Sequence, residues 1–372
     1  MEKINYTYTR ERLLPGFDGK FCKTCPCVAT DSRGTVLISY QMLLLSGCDV
    51  VYDQYMIKST DGGKTFGEPV LQSKIAPTVQ NGIRTVHSAH CLYNKKHKRW
   101  YGIGHNTDYE NDNSAILVKG VCLAATGTPI FLNVNPDTAE FTDYTEIPFP
   151  FDYLTAYSVG QPYEFDNGDI LLPFYFTTKE APGKPQVVTV RYAFEENGLR
   201  IVKAGTPIEG PQYKRGLCEP SLSFLKGRFY LTIRSNECGL LSVSDDGYNF
   251  SEPTPWKWDD GSILENYNTQ QHWIINKNGL FLAYTRRGAH NDHVFRHRAP
   301  IFMTRFDEER SCLIRDEEII LVPELGARLG NFWAIEADEN QSWLITAEWM
   351  QPLGCEKYGS DNSLWLAKIF WS

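Results

Sequence analysis

No stretch of the 372-residue chain approaches the roughly 18 consecutive apolar residues of a membrane span. The start, Met1-Glu-Lys-Ile-Asn-Tyr6, lacks the basic and apolar segments of a secretory leader, so the expectation is a cytoplasmic protein unless a leader was removed. Positive charge is also short. The 37 Lys and Arg face 45 Asp and Glu, a formal net charge of −8, which leaves no broad field for nucleic acid phosphates. No long 3.6-residue apolar period is present, so helices should be few. Cys22-x-x-Cys25-x-Cys27 has half the pattern of a metal site, yet no second pair follows it. The other cysteines are scattered, mostly beside Val, Leu or Ala, as buried reduced thiols are.

What the chain does have is a core and a repeat. Hydrophobic residues make up 42% and aromatics 13%, enough for a sizeable interior and in favour of β-structure or sugar-stacking surfaces. One unit recurs six times: an apolar strand, a polar turn usually holding Gly, and a second strongly apolar strand. The turn-plus-strand halves are 31–40, 98–105, 166–175, 226–234, 277–286 and 340–348, spaced by roughly 50 to 70 residues. Third strands are predicted at 54–58, 116–119, 187–191, 240–243, 301–304 and 364–367. That spacing suits four-stranded antiparallel blades. The expected fold is all-β, a single β-propeller domain over 1–372, with six blades by count and room for a poorly marked seventh. The last unit ends at its third strand, so 4–9 should supply the fourth and close the ring, hiding both edges.

Ser59-Thr-Asp-Gly-Gly-Lys-Thr-Phe66 follows the third strand of the first unit, and Val243-Ser-Asp-Asp-Gly-Tyr-Asn-Phe250 is a degraded copy in the fourth. Both resemble the Asp-box of the sialidase superfamily. The carboxylate should accept turn N–H groups while Gly takes positive φ, which makes the box a structural clasp rather than a catalytic site.

In a blade, the first strand starts and the second strand ends at the same mouth of the central channel, where a pocket is expected. First-strand starts carry His87, His90, Gln161, Glu219, Gln271 and Asn331. Second-strand ends carry Gln41, His105, Tyr175, Arg234, Arg286 and Glu348. Solvated strand ends collect polar residues anyway, but the number of His and Arg exceeds what a rim requires. The Gly-rich lead-in to the last blade, 324–331, suits close backbone approach to a ligand. Trp256 and Trp258, beside Asp259 and Asp260, would stack on a sugar if exposed.

Sialidase chemistry needs three arginines on the substrate carboxylate, a Tyr–Glu nucleophile pair and an Asp acid. The N-terminal [F/Y]-R-I-P motif of that family is missing, which ranks an exo-sialidase second. The order His…His…Tyr…Arg in the second and third units resembles propeller-type ulvan lyases and their relatives, rhamnosidases included, that act on rhamnose–glucuronate linkages. That resemblance implies β-elimination on a small acidic oligosaccharide. His87 or His105 would be the base, Tyr175 the acid, and Arg191 would neutralise the uronate. His90, Gln161, Glu219, Arg234, Gln271, Arg286, Arg298 and Asn331 are the expected substrate contacts, although His90 equally suits a buried strand position. A glycoside hydrolase and a non-catalytic glycan-binding propeller are the alternatives.

No cofactor is required by this chemistry. Three histidines in the loop 290–298, His290, His293 and His297, with Cys218 as a fourth ligand, are compatible with a structural zinc or calcium. The same loop equally suits substrate contact, with Arg296 and Arg298 on a carboxylate.

Overall fold

The computed structural model describes residues 4–113, 127–210 and 212–372. Its strands form six antiparallel sheets of four or five strands, arranged as the blades of a propeller. Blade 1 comprises Phe21–Thr30, Val36–Leu44, Val50–Ser59 and Val70–Leu71. Blade 2 has Ile83–Asn94, Arg99–Tyr109, Pro129–Asn135 and Glu140–Glu146, with Thr78–Gln80 paired to its inner strand. In blade 3 the inner strand is split into Thr155–Tyr157 and Tyr163–Glu164, followed by Ile170–Thr177, Gln186–Glu195 and Gly198–Ala204. Blade 4 runs Cys218–Leu225, Arg228–Arg234, Gly239–Ser244 and Thr254–Pro255. Blade 5 runs His272–Asn276, Gly279–Tyr284 and Ile301–Asp307, whose outer edge takes both Cys312–Leu313 and Ile319–Val322. Blade 6 is Phe332–Asp338, Gln341–Ala347 and Leu364–Trp371, closed by Tyr6–Leu13 in unbroken register from Tyr6↔Trp371 to Leu13↔Leu364.

The inner strand of blade 1 packs on those of blades 2 and 6, and that of blade 5 packs on those of blades 4 and 6. Each blade is therefore covered on both faces. Its second and third strands read as continuous apolar runs rather than alternating ones, and Ile301–Asp307 is buried along its whole length. The blade count is six. In blade 2 the expected third strand at 116–119 lies outside the described residues, and the strand paired with Arg99–Tyr109 is Pro129–Asn135. Trp256 and Trp258 are buried in the core between blades 4 and 5, so neither offers a face to a sugar.

Both Asp-boxes fold as clasps. Asp61 accepts the amides of Lys64 and Thr65 at 3.0 Å and the Thr65 hydroxyl at 2.6 Å, and Asp246 accepts the amides of Tyr248 and Asn249 at 2.8 Å. Among the described residues no helix is long and apolar enough to cross a membrane.

Candidate functional site

Register places the candidate side chains of inner-strand starts and second-strand ends at one mouth of the channel. Thr24 pairs with Gln41, His87 with Asn106, Tyr157 with Tyr175, and Cys218 with Arg234, so inner-strand starts and second-strand ends share a rim. Two inner strands bulge there, between Thr24 and Cys27 and between Cys218 and Ser221. The bulges put Cys25 (φ 48°) and Glu219 (φ 44°) in the left-handed region, a strained backbone that re-aims a side chain next to a site.

Contacts link the rim from blade to blade. The His105 ring meets Tyr157 edge-on at 4.4 Å, and Tyr157 lies 5.2 Å from Tyr175. Burial first, and then the Glu219 charge, push the Tyr175 phenol well above its ordinary pKa. Arg234 Nη1 donates to Glu219 Oε1 at 2.6 Å and Nη2 to Asn268 Oδ1 at 2.5 Å. The Asn268 carbonyl accepts from Arg298. Asn331 Nδ2 reaches Cys25 Sγ at 3.2 Å and Thr24 Oγ1 at 3.3 Å, which joins blade 6 to blade 1. Cys25 in turn feels the charges of Glu219 and Asp49.

The electrostatics of this rim are unbalanced. Arg298 is 4% exposed and Arg328 3% exposed, and each has an Nε without a hydrogen-bond partner. Among the described residues neither forms an ion pair, whereas Arg234 has Glu219. Burial, then Arg234 and Arg328, drive the Arg298 pKa well below that of an ordinary guanidinium. Burial brings Arg328 down to about 10, although its plane stacks 3.7 Å from the Trp349 ring centroid. Gly330 allows this crowding, because a Cβ there would lie 2.5 Å from Arg298 Cδ. Glu219 acts on Arg298 and Asp49 on Arg328 only through space, so both cations are buried without a direct ion-pair partner. Glu219 Oε2 is likewise buried without a partner.

Of the expected residues, His105, Tyr175, Glu219, Arg234, Arg298 and Asn331 meet on this rim. His87 is buried beneath it, its Nδ1 unpartnered and its pKa lowered by burial. His90 packs against Trp333 at 4.8 Å inside the channel and is pushed down to about 4 by burial.

Arg191 is a correction. It pairs in the sheet with Leu171, four residues from Tyr175, and binds Asp169 at 2.7 Å over the Phe165 ring, at the far mouth. Gln161 is another, being buried with its carboxamide tied to Trp273, Ala334 and Ser221. Gln271 is 1% exposed and its Nε2 turns to the Thr269 carbonyl. Arg286 turns along its blade onto Glu318 at 2.6 Å. Gln41 and Glu348 are buried and spent on neighbours, Gln41 on the Tyr52 and His87 carbonyls and the Ser88 hydroxyl, and Glu348 on the Asp361 and Ser363 amides, the Trp365 indole and Arg12.

The three loop histidines do not converge. His290 is exposed, His293 meets Glu324 at 3.0 Å, and His297 bridges Tyr267 and Asp292. No group of three His, Cys, Asp or Glu side chains among the described residues is arranged to hold a metal.

Arg328, Tyr157, Asn268 and Asp49 were not singled out from the sequence. Arg328 had a signal in the Gly-rich lead-in at 324–331. Asn268 and Asp49 lie in loops, and Tyr157 is on the split inner strand of blade 3, four residues before the slot expected at Gln161, where sequence carries no sign of which side chain turns inward.

No protein-family model matches the chain, and no curated protein does. Among solved structures it is similar to a protein of unknown function from Dyadobacter fermentans DSM 18053, at 15% identity and TM-score 0.70 over 98% of this chain and 99% of that one. It is also similar to Hadza microbial sialidase Hz136, at 12% identity and TM-score 0.64 over 93% of this chain and 65% of that one. Trypanosoma rangeli sialidase in complex with sialic acid follows at 11% identity and TM-score 0.60, over 97% and 58%. The chain thus spans less than two thirds of the length of either sialidase. At such identities the likeness establishes the fold, and the chain is a sialidase-like six-bladed β-propeller.

Proposed function

We propose that the chain is a carbohydrate-active enzyme of the glycosidase kind whose rim binds an acidic sugar by its carboxylate. The observation that carries this reading is the pair of buried guanidinium groups without ion-pair partners, Arg298 and Arg328, beside the Arg234–Glu219 pair. A carboxylate docked between them would satisfy both unpartnered Nε groups and cancel the repulsion. Two of the structural neighbours are named as sialidases, one of them bound to sialic acid, an acidic sugar.

Hydrolysis follows from the remaining groups. A substrate carboxylate next to the anomeric carbon repels an anionic nucleophile, which favours a phenol activated by a base. Arg234 holds Glu219 by one oxygen and leaves Oε2 to take the Tyr175 proton as the phenolic oxygen bonds to the anomeric carbon. Asp49, exposed across the rim near Arg328 and Cys25, protonates the departing oxygen. Water then attacks the anomeric carbon and gives a proton to Asp49, while Glu219 returns its proton to the departing phenolate oxygen, so that all three groups are restored. Elimination is less well supported. Burial first, then His90 and His87, push His105 down to about 3, which makes it a weak base for a carbon-bound proton, and Arg191 is at the wrong mouth.

The test is incubation with an aryl sialoside, an aryl glucuronide and rhamnosyl-glucuronate oligosaccharides. The expected result is release of the free acidic sugar from at least one, cut at least about 100-fold by Tyr175→Phe and by Glu219→Gln. An unsaturated product with new ultraviolet absorbance would establish a lyase instead. Binding with no turnover of any substrate would leave a glycan-binding propeller.

A further inference from the structure

Arg234 with Glu219 in blade 4 and Arg298 at the end of the blade 5 loop meet on one residue. Asn268 lies in the segment that leads into the inner strand His272–Asn276. Its Oδ1 accepts from Arg234 Nη2 at 2.5 Å, and its main-chain carbonyl accepts from Arg298 Nη2. Its amide donates to the Ser235 carbonyl at 2.9 Å, one residue after Arg234. Tyr267 extends the grip, with its hydroxyl 2.7 Å from Nδ1 of His297, the neighbour of Arg298 in the chain. Tyr267-Asn268 is thus a bracket between blade 4 and the loop 290–298.

Three features suit Asn268 to this place. It sits at φ 49°, in the left-handed region that Asn enters more readily than other side chains, and there its two oxygens reach two different guanidinium groups. Its anchor is firm, since Ser235 Oγ donates to the Cys238 carbonyl at 2.7 Å and accepts the Cys238 amide at 3.1 Å. Both of its oxygens are neutral. A carboxylate would fix a guanidinium and cancel its charge; a carbonyl fixes the plane and leaves the charge for a ligand. Arg234 Nη1 is on Glu219 Oε1 at 2.6 Å, so the Asn268 carboxamide acts on Glu219 through Arg234.

We infer that Asn268 is a positioning residue with two separate outputs: its carboxamide sets Arg234, and Glu219 through it, while its main-chain carbonyl sets Arg298. For catalysis this rests on the function proposed above, in which Glu219 takes the Tyr175 proton and Arg298 holds the substrate carboxylate. Removing the carboxamide alone then slows turnover and spares acid binding. Placing a charge on the same atoms holds Arg234 but competes with the substrate carboxylate for the arginines.

The bracket is tested first without substrate, by NMR of the whole protein carrying isotope-labelled arginine. A guanidinium held at both Nη atoms rotates slowly about Nε–Cζ, because two hydrogen bonds must break, and its Nη signals are resolved; those of Arg234 are identified by their loss in Arg234→Lys. Asn268→Gly keeps the left-handed backbone with both main-chain hydrogen bonds and removes only Oδ1. It is expected to speed the rotation at least about tenfold, and Asn268→Asp should keep it slow. Free rotation in wild type, or slow rotation in Asn268→Gly, overturns the inference whatever the protein binds. On an acidic glycoside that wild type cleaves, Asn268→Gly should cut kcat about tenfold and leave Kd within about twofold, while Asn268→Asp should weaken Kd about tenfold. Values of kcat and Kd that shift together in Asn268→Gly, or an unchanged kcat, overturn the two separate outputs. A wild type that binds no acidic sugar would refute the proposed function instead, and the rotation rates alone would then decide the bracket.

Discussion

A guanidinium buried beside two others, without an ion-pair partner, destabilises the empty protein, and in the proposed function a substrate carboxylate offsets that cost. Arg298→Met keeps the length and removes the charge. It is expected to raise Tm while weakening acidic-sugar binding at least about tenfold. A lower Tm with unchanged binding would assign Arg298 to the scaffold. Arg191→Ala is the complementary case. Its partly exposed pair with Asp169 should contribute less than about 1 kcal/mol, and turnover should stay within about twofold of wild type. The lyase resemblance put Arg191 in one site with Tyr175, on the neighbouring strand. The hairpin decides otherwise, since Tyr175 pairs with Val187 and every further residue moves Arg191 away from the rim. Spacing alone does not carry register. Arg298 was legible for a different reason, as it lies in the loop 290–298 between the second and third strands of blade 5, where a carboxylate contact was expected.

At the scale of elements, the Asp-box is the clearest case of structure written locally. Ser59, Asp61 and Thr65 find one another within seven positions, so the motif needs no tertiary information. The Thr65 hydroxyl and then the turn amides hold the Asp61 carboxyl below its ordinary pKa. With the folded pKa below the unfolded one, the stabilisation is complete above about pH 4 and is lost as pH falls through the folded value. Asp61→Asn should therefore lower Tm at neutral pH, with the gap to wild type closing in strong acid. A gap that stayed constant with pH would mean the carboxylate charge plays no part. The inner-strand bulges are the opposite case. Nothing in Thr24-Cys25-Pro26-Cys27 or Cys218-Glu219-Pro220-Ser221 announces a left-handed residue. Only the packed ring shows that Glu219 turns toward Arg234.

For the whole molecule, the ring was legible because six similar units leave few other ways to bury so many apolar strands, and because a missing fourth strand at one end matched a spare strand at the other. Deleting residues 4–13 should expose the edges of Leu364–Trp371 and convert cooperative unfolding into aggregation; a cooperative transition in the shortened chain would contradict closure as the source of that stability. Three buried histidines add a pH term. Burial pushes His90 down to about 4 and both His105 and His272 down to about 3, so folding excludes protons that the unfolded chain takes up. Stability should be full above about pH 6.5 and fall below it, by up to about 1.4 kcal/mol per pH unit for each histidine. Urea midpoints between pH 7 and 5 check the sign, and His105→Gln should flatten the slope. The most direct measurement of the central claim is calorimetric titration with the methyl glycosides of sialic and glucuronic acids against their neutral carboxamides. An acid that binds at least about tenfold better than its amide, with the preference abolished in Arg298→Ala/Arg328→Ala, is the expected result. Equal binding of acid and amide, or a preference that survives loss of both arginines, would contradict it.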